Sequence, residues 1–196
     1  MSRNNKIVLR FYLIMSLFLA LNCCLYYFKE ISLRGYYSDI VLFWIWLFTS
    51  FVVIVLFWKK IMAKLLLAAL VLTLIVSIIP MMIPFYALLL STTSLGLYID
   101  KNLNDKYRAQ IVGYSAMTSP WLEVMEKNGP IEKRIFKCTD SQIRNDNLNI
   151  KIRNAKDILF KKETDSTLTL TIFCGGPNQT ITFNKNSGNS IELKNN

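Results

Sequence analysis

The side chains that could do chemistry are few, and histidine is absent from all 196 residues. Without an imidazole, the chain cannot form Ser–His–Asp or Cys–His catalytic groups or hold a metal through histidine. An all-thiolate zinc site needs four cysteines close together, but Cys23 and Cys24 lie in an apolar run, far from Cys138 and Cys174. We therefore expect no catalytic residue, no metal and no cofactor.

Acidic side chains offer the remaining route to acid–base chemistry. Glu123, Glu126 and Glu132 flank a predicted hairpin, where we expect all three to be exposed. The polar segment that begins at Asp140 could hold a cation, but its acids lack the spacing of a calcium loop, and we interpret it as a surface loop. An envelope enzyme that uses carboxylates or a Ser/Lys pair is the catalytic alternative.

Cys138 and Cys174 each end a predicted strand. Cys174 continues the alternation of Leu168, Leu170 and Ile172, so its side chain should face the core. A disulfide between the two cysteines would close a loop of about 37 residues and stabilise the domain by roughly 4 kcal/mol in the chain-entropy model. We predict this disulfide, with two buried thiols as the alternative.

Two large aromatic residues, Tyr114 and Trp121, are the candidates for a contact surface. Tyrosine and tryptophan are enriched among the residues that contribute most to binding. Burial in the core is the competing interpretation for both side chains.

The elements that must position these residues begin with an apolar first half. The chain is 53% hydrophobic, with mean hydropathy +0.32. Runs at about 11–28, 40–58 and 61–79 are long enough to cross a bilayer core of about 30 Å as helices. Pro80 and Pro84 should then kink the chain into a stalk over 80–98. A fourth crossing over Phe85 to Tyr98 is the alternative, although about 14 residues is short for a span.

Basic residues in the short loops predict the orientation. Three lysines or arginines lie within residues 1–10 and three within 59–64, against two within 29–39. The positive-inside rule then places the N-terminus in the cytoplasm, and three crossings place the C-terminal half outside. We expect an integral protein of the bacterial inner membrane.

From Tyr107 onward, apolar and polar residues alternate with a period of two, which predicts half-buried strands. The predicted strands lie at about 107–113, 121–126, 131–138, 148–153, 155–161, 166–174, 180–183 and 191–193. Residues 100–108 could instead extend the stalk as a helix. The pattern predicts a membrane domain over 1–98 and an all-β domain over 99–196, a small antiparallel sandwich or open barrel.

An apolar anchor that carries a small β domain without catalytic groups is typical of a binding protein. We expect a membrane-anchored scaffold, for example an accessory subunit of an envelope assembly. Its partners would be the bilayer and another membrane or envelope protein. Nucleic acid is not expected, because the net charge of +10 is divided between membrane loops and a mixed-charge second half. A membrane-bound immunity protein that shields against a toxin is a further alternative.

Overall fold

The computed structural model describes residues 3–78, 83–114, 119–139, 151–175, 178–185 and 190–195. The chain divides into two compact units, Met1–Thr93 and Ser94–Asn196. The first unit is helical, and the second is built from antiparallel strands.

The helical unit contains long apolar helices. Its elements are α1 (Arg3–Lys29), a short strand β1 (Ile31–Leu33), α2 (Tyr36–Leu56), α3 (Ile61–Ile78) and α4 (Ile83–Thr92). Within the described residues, three helices, α1, α2 and α3, are long and apolar enough to cross a membrane. The three long apolar helices predicted from the sequence are confirmed, and their length and composition favour a membrane protein. Helix α1 starts before the predicted apolar run, at Arg3, and therefore includes Lys6 and Arg10.

Polar side chains join α1 to α2. The Asn22 amide donates a hydrogen bond to Asp39 Oδ1 at 2.8 Å, and the Trp46 indole N–H donates to Ser16 Oγ at 2.9 Å. Asp39, expected in a loop, lies in the first turn of α2. Hydrogen bonds between helices satisfy polar groups that lipid cannot, so these contacts fix how the first two helices pair.

Helix α4 ends beside the start of α2. The Tyr36 hydroxyl donates to the Thr93 carbonyl at 3.1 Å, and the Trp44 indole N–H donates to the Thr92 carbonyl at 2.8 Å. With 10 residues, α4 is about 15 Å long, half the thickness of a bilayer core. A fourth crossing would have carried residue 93 to the opposite end of the bundle, so that alternative is wrong. Pro84 lies in the first turn of α4, where proline is tolerated; Pro80 lies outside the described residues.

These contacts predict which loops share a side of the membrane. Single cysteines at Arg34 and Leu95, in a background without the four native cysteines, should both react with an impermeant maleimide added to the same side. Leu95 is only two residues from Thr93, so the chain between them spans at most about 7 Å. A cysteine at Lys59 should react only from the other side. Labelling of Arg34 and Leu95 from opposite sides would contradict the arrangement.

The second unit contains two sheets. Its strands are β2 (Leu97–Asn102), β3 (Tyr107–Val112), β4 (Trp121–Asn128), β5 (Ile131–Thr139), β6 (Asp157–Glu163), β7 (Thr167–Phe173), β8 (Gln179–Asn184) and β9 (Ser190–Asn195). One sheet contains β5-β4-β3-β2 in that order, the other β6-β7-β8-β9, and neighbouring strands are antiparallel. The predicted antiparallel β region is confirmed, and no barrel closes among the described residues. The β4–β5 turn is Gly129-Pro130, where Gly129 has φ 63°, a conformation that glycine adopts without strain.

Two local predictions in this unit were wrong. Strand β2 occupies residues that were assigned to the stalk or to a helical extension of it. Ile152–Asn154 forms a 3₁₀ turn in place of the end of the predicted strand 148–153, of which 148–150 lie outside the described residues. Lys151 and Arg153 alternate with apolar residues there, but so short an alternation also fits a 3₁₀ turn.

One apolar core joins the inner faces of the two sheets. The buried side chains are Tyr107, Ala109, Ile111, Leu122, Val124, Phe136, Cys138, Ile152, Ile158, Leu168, Leu170, Ile172, Ile181 and Phe183. Phe136 of the first sheet and Phe183 of the second stack with ring centroids 4.0 Å apart and planes tilted by 6°. The predicted inward face of β7 is therefore confirmed.

The predicted disulfide between Cys138 and Cys174 is not supported. The two cysteines are not joined, and both carry thiols. Cys138 is buried within β5, whereas Cys174 follows the last residue of β7 and only borders the core. Cys138 belongs to a strand of the first sheet, Cys174 directly follows a strand of the second, and neither is bonded to another cysteine. They contribute to packing as small apolar side chains.

A bulge in β5 redirects two charged residues. Val124 pairs with Phe136, but the next residue, Met125, pairs with Arg134, so Ile135 is an extra residue in β5. Simple alternation would place Glu132 and Arg134 on the core face with Phe136. The bulge turns both side chains to the opposite face, the outer face of the first sheet.

Candidate functional site

The outer face of the first sheet contains a hydrogen-bonded set of side chains, here called the polar network. Its members are Asp100, Arg108, Gln110, Glu123, Glu132 and Arg134. Strand pairing brings them together, because Gln110 lies opposite Asp100 on β2 and opposite Glu123 on β4. Arg108 and Glu132 are only 4% and 1% exposed, so the charges are removed from water. The prediction that Glu123 and Glu132 would be exposed was wrong.

Arg108 is the centre of the polar network. Its Nη2 donates to Glu132 Oε2 at 2.6 Å and its Nε to the same oxygen at 3.0 Å. Its Nη1 donates to Asp100 Oδ1 at 2.8 Å and to Gln110 Oε1 at 2.7 Å. Burial opposes the guanidinium charge, but the hydrogen bonds that Arg108 donates to Glu132 and Asp100 outweigh this effect and raise the pKa of Arg108. Arg108 is therefore charged across the whole working pH range.

Glu123 connects the network to an aromatic residue. Its carboxylate accepts hydrogen bonds from Gln110 Nε2 at 2.8 Å, from Arg134 Nη1 at 3.1 Å and from the Trp121 indole N–H at 2.9 Å. Because both oxygens are occupied by fixed donors, this carboxylate is a poor acid–base catalyst. The bond from the indole restrains the orientation of the Trp121 ring.

A second cluster, here called the aromatic patch, contains Tyr114, Trp121 and Lys137 in mutual contact through Trp121, together with Tyr98, which lies against the adjacent Gly113. The rings of Tyr114 and Trp121 meet edge to face with centroids 5.5 Å apart, and the Lys137 amine lies 4.2 Å from the centroid of the Trp121 ring. Tyr98 is 45% exposed, Lys137 is exposed, and Tyr114 and Trp121 are half-buried. The structure thus brings the two sequence-predicted contact residues together and adds two neighbours that the sequence did not indicate.

Gly113 allows Tyr98 to pack close to the backbone. A Cβ added to Gly113 would lie 3.2 Å from Tyr98 Cε2 and 3.5 Å from the side chain of Pro120. A glycine at this position therefore helps to set the position of the Tyr98 ring at the edge of the aromatic patch.

A separate ion cluster joins β3 to the second sheet. The buried Tyr107 donates its hydroxyl hydrogen to Glu163 Oε1 at 2.8 Å, and Lys185 donates to the same oxygen at 2.6 Å. Lys101 of β2 pairs with Asp157 of β6 in a similar way at 2.5 Å. These contacts join the two sheets at a polar edge of the core.

The Glu163 cluster predicts a pH dependence of stability. The hydrogen bond from Lys185, followed by that from Tyr107, holds the pKa of Glu163 below its usual range. A lowered native pKa contributes stability above the unfolded pKa of about 4.3 and loses it as the pH falls through the native pKa. Glu163→Gln should therefore lose less stability than the wild type between pH 7 and pH 3 in urea titrations of the full chain. Lys185→Met should likewise reduce the pH dependence of the free energy of unfolding over this range. If the free energies of Glu163→Gln and the wild type fell in parallel with pH, the prediction would be contradicted.

The described residues contain no group of three or more histidine, cysteine, aspartate or glutamate side chains placed to hold a metal ion. The segment that begins at Asp140, considered for a cation, lies outside the described residues. Comparisons of the chain with protein-family models, with curated proteins and with solved structures found no match.

Proposed function

We propose that this chain is a membrane-anchored, non-catalytic binding protein that holds a second membrane or envelope protein through its aromatic patch. The observation that carries the proposal is the fixed orientation of Trp121, whose indole N–H is bonded to the buried carboxylate of Glu123. An aromatic side chain that is already ordered loses little conformational freedom on binding, which favours affinity.

The composition of the aromatic patch also supports binding. Tyr98, Tyr114 and Trp121 offer ring faces and edges, and Lys137 adds a positive charge beside them. Tryptophan and tyrosine are the residue types that most often dominate the binding energy of protein interfaces. We propose a partner surface with apolar side chains and a carboxylate that faces Lys137.

The polar network favours a structural role over an enzymatic one. Its carboxylates, those of Asp100, Glu123 and Glu132, already accept hydrogen bonds from guanidinium, amide or indole groups. A general acid or base needs access to a substrate proton, and donors would have to be displaced before these groups could reach one.

We further propose that the β unit is a small sandwich rather than an open barrel, and that it lies outside a bacterial inner membrane. Two antiparallel sheets that share one core support the sandwich. The excess of basic residues within 1–10 and 59–64 supports a cytoplasmic N-terminus. A periplasmic alkaline phosphatase fused after Asn196 should be active, and a fluorescent protein that folds only in the cytoplasm should be dark at the same position.

Site-specific crosslinking in native membranes tests the binding surface. A photo-crosslinking amino acid at Tyr98 should give one discrete heavier adduct, whereas the same group at Leu159, 43% exposed on β6, should give none. Trp121→Ala should reduce the Tyr98 adduct by about 30-fold or more, the loss expected for a dominant interface residue. Equal adducts at Tyr98 and Leu159, or an adduct at Tyr98 that is unchanged by Trp121→Ala, would overturn the proposal.

A further inference from the structure

An apolar cavity lies between the first three helices. Its volume is about 420 Å³, within the range of about 300–1,000 Å³ that is usual for ligand sites. The side chains that line it include Leu9, Leu13, Phe57, Lys60, Met62 and Leu66. All but Lys60 are apolar, so the cavity suits a hydrocarbon chain with one charged group at its edge.

The cavity lies at one end of the helical unit. Leu9 is near the start of α1, Phe57 directly follows α2, and Met62 is at the start of α3. In a protein that spans a bilayer, this end lies where hydrocarbon gives way to headgroups. An occupant would therefore have its chain among the helices and its polar part beside Lys60.

The charges at this end have one sign. Lys60 is accompanied by Lys6, Arg10, Lys59 and Lys64 in the neighbouring sequence, while residues 1–29 and 40–99 contain no aspartate or glutamate. The acids of the helical unit, Glu30 and Asp39, belong to its other end. The helical unit therefore has no acidic residue near this end to pair with Lys60, so an anionic group of a bound molecule would meet a basic surface without competition from the unit's own acids.

We propose that this cavity binds one anionic phospholipid, with an acyl chain against Leu13 and Leu66 and the phosphate against Lys60. A zwitterionic lipid fits the apolar part equally well but does not leave a net negative charge for the basic end. A basic residue close to a membrane surface attracts anionic lipid with a free energy that corresponds to about a fivefold difference in affinity. Binding is independent of the aromatic patch, which belongs to the other unit.

Native mass spectrometry of the full chain in mild detergent tests the site. Phosphatidylglycerol should be retained at about fivefold lower concentration than phosphatidylcholine with the same acyl chains. Lys60→Gln should abolish this preference, and the matched control Lys29→Gln, at the last residue of α1, should keep it. Met62→Trp should lower retention of both lipids, because the larger indole would occupy part of the cavity. Met62 itself is 73% exposed.

Three outcomes would overturn the proposal. Equal retention of the two lipids by the wild type would show that charge has no part in binding. Equal losses for Lys60→Gln and Lys29→Gln would show attraction to net charge alone. Displacement of phosphatidylglycerol by millimolar inorganic phosphate would show an anion site that does not need the acyl chain.

Discussion

Arg108→Met should destabilise the β unit by about 3–5 kcal/mol, the cost of leaving a buried charge without its partner. The variant removes both hydrogen bonds of the guanidinium to Glu132 Oε2, and Glu132 is 1% exposed, so water cannot replace them. Gln110 and Asp100 each lose a donor as well. Urea-dependent resistance of the full chain to a short protease pulse, read with a C-terminal tag, measures the change.

A double variant distinguishes a buried ion pair from general packing damage. Arg108→Met combined with Glu132→Met should recover much of the loss, because two apolar side chains leave no uncompensated charge between them. The exposed counterpart is Lys101→Met, which removes the ion pair with Asp157 and should cost no more than about 1 kcal/mol. Additive losses in the double variant, or equal losses for Arg108→Met and Lys101→Met, would contradict this account of the polar network.

Phe183→Ala should cost about 3–5 kcal/mol, the usual loss for a large aromatic side chain removed from a core. Phe183 is fully buried and stacks on Phe136 across the two sheets, so the variant leaves a cavity between them. Phe183→Leu should cost less, because it fills part of that space. The same urea series gives both values.

A double-mutant cycle measures the interaction between the rings of Phe136 and Phe183. Phe136→Ala and Phe183→Ala together should cost less than the sum of the single variants, because each single change already removes the contact. Leu159→Ala, at a 43% exposed position on β6, is the control and should change stability by about 0.5 kcal/mol or less. If Phe183→Ala proved no more costly than Leu159→Ala, the two sheets would not share the core described here.

The membrane helices could be predicted because hydrophobicity alone determines them. Long runs without charge, such as the one within α2, give the same result in any tertiary context. The limits of the helices were less certain. Helix α1 includes Lys6 and Arg10, since a helix can continue beyond the bilayer, and α2 begins at Tyr36, four residues before its apolar run.

The strands of the β unit followed their alternation, and the exceptions have local causes. Residues 168–172 alternate strictly and form β7 as predicted. Glu132 and Arg134 break the rule, because the extra residue Ile135 in β5 reverses the direction of both side chains. A bulge depends on the pairing of two strands, so one strand's sequence does not reveal it.

The candidate site was only partly predictable. Tyr114 and Trp121 were selected for their size, and the structure places their rings in contact. The link from Trp121 through Glu123 to Arg134 depends on cross-strand register, which the alternation pattern leaves open. The disulfide prediction failed for a similar reason: Cys138 lies in the core and Cys174 borders it, but contact with the same core does not bring two residues together.

The two hydrogen bonds between α1 and α2 have a consequence for biogenesis. All four partners, Ser16, Asn22, Asp39 and Trp46, belong to the first quarter of the chain. The helical hairpin can therefore satisfy its polar groups while the ribosome is still translating the remainder, since chains fold from the N-terminus as they are made. The amide with its carboxylate, and the indole with its hydroxyl, then enter the lipid as matched pairs, and the β unit is synthesised onto an anchor that is already assembled.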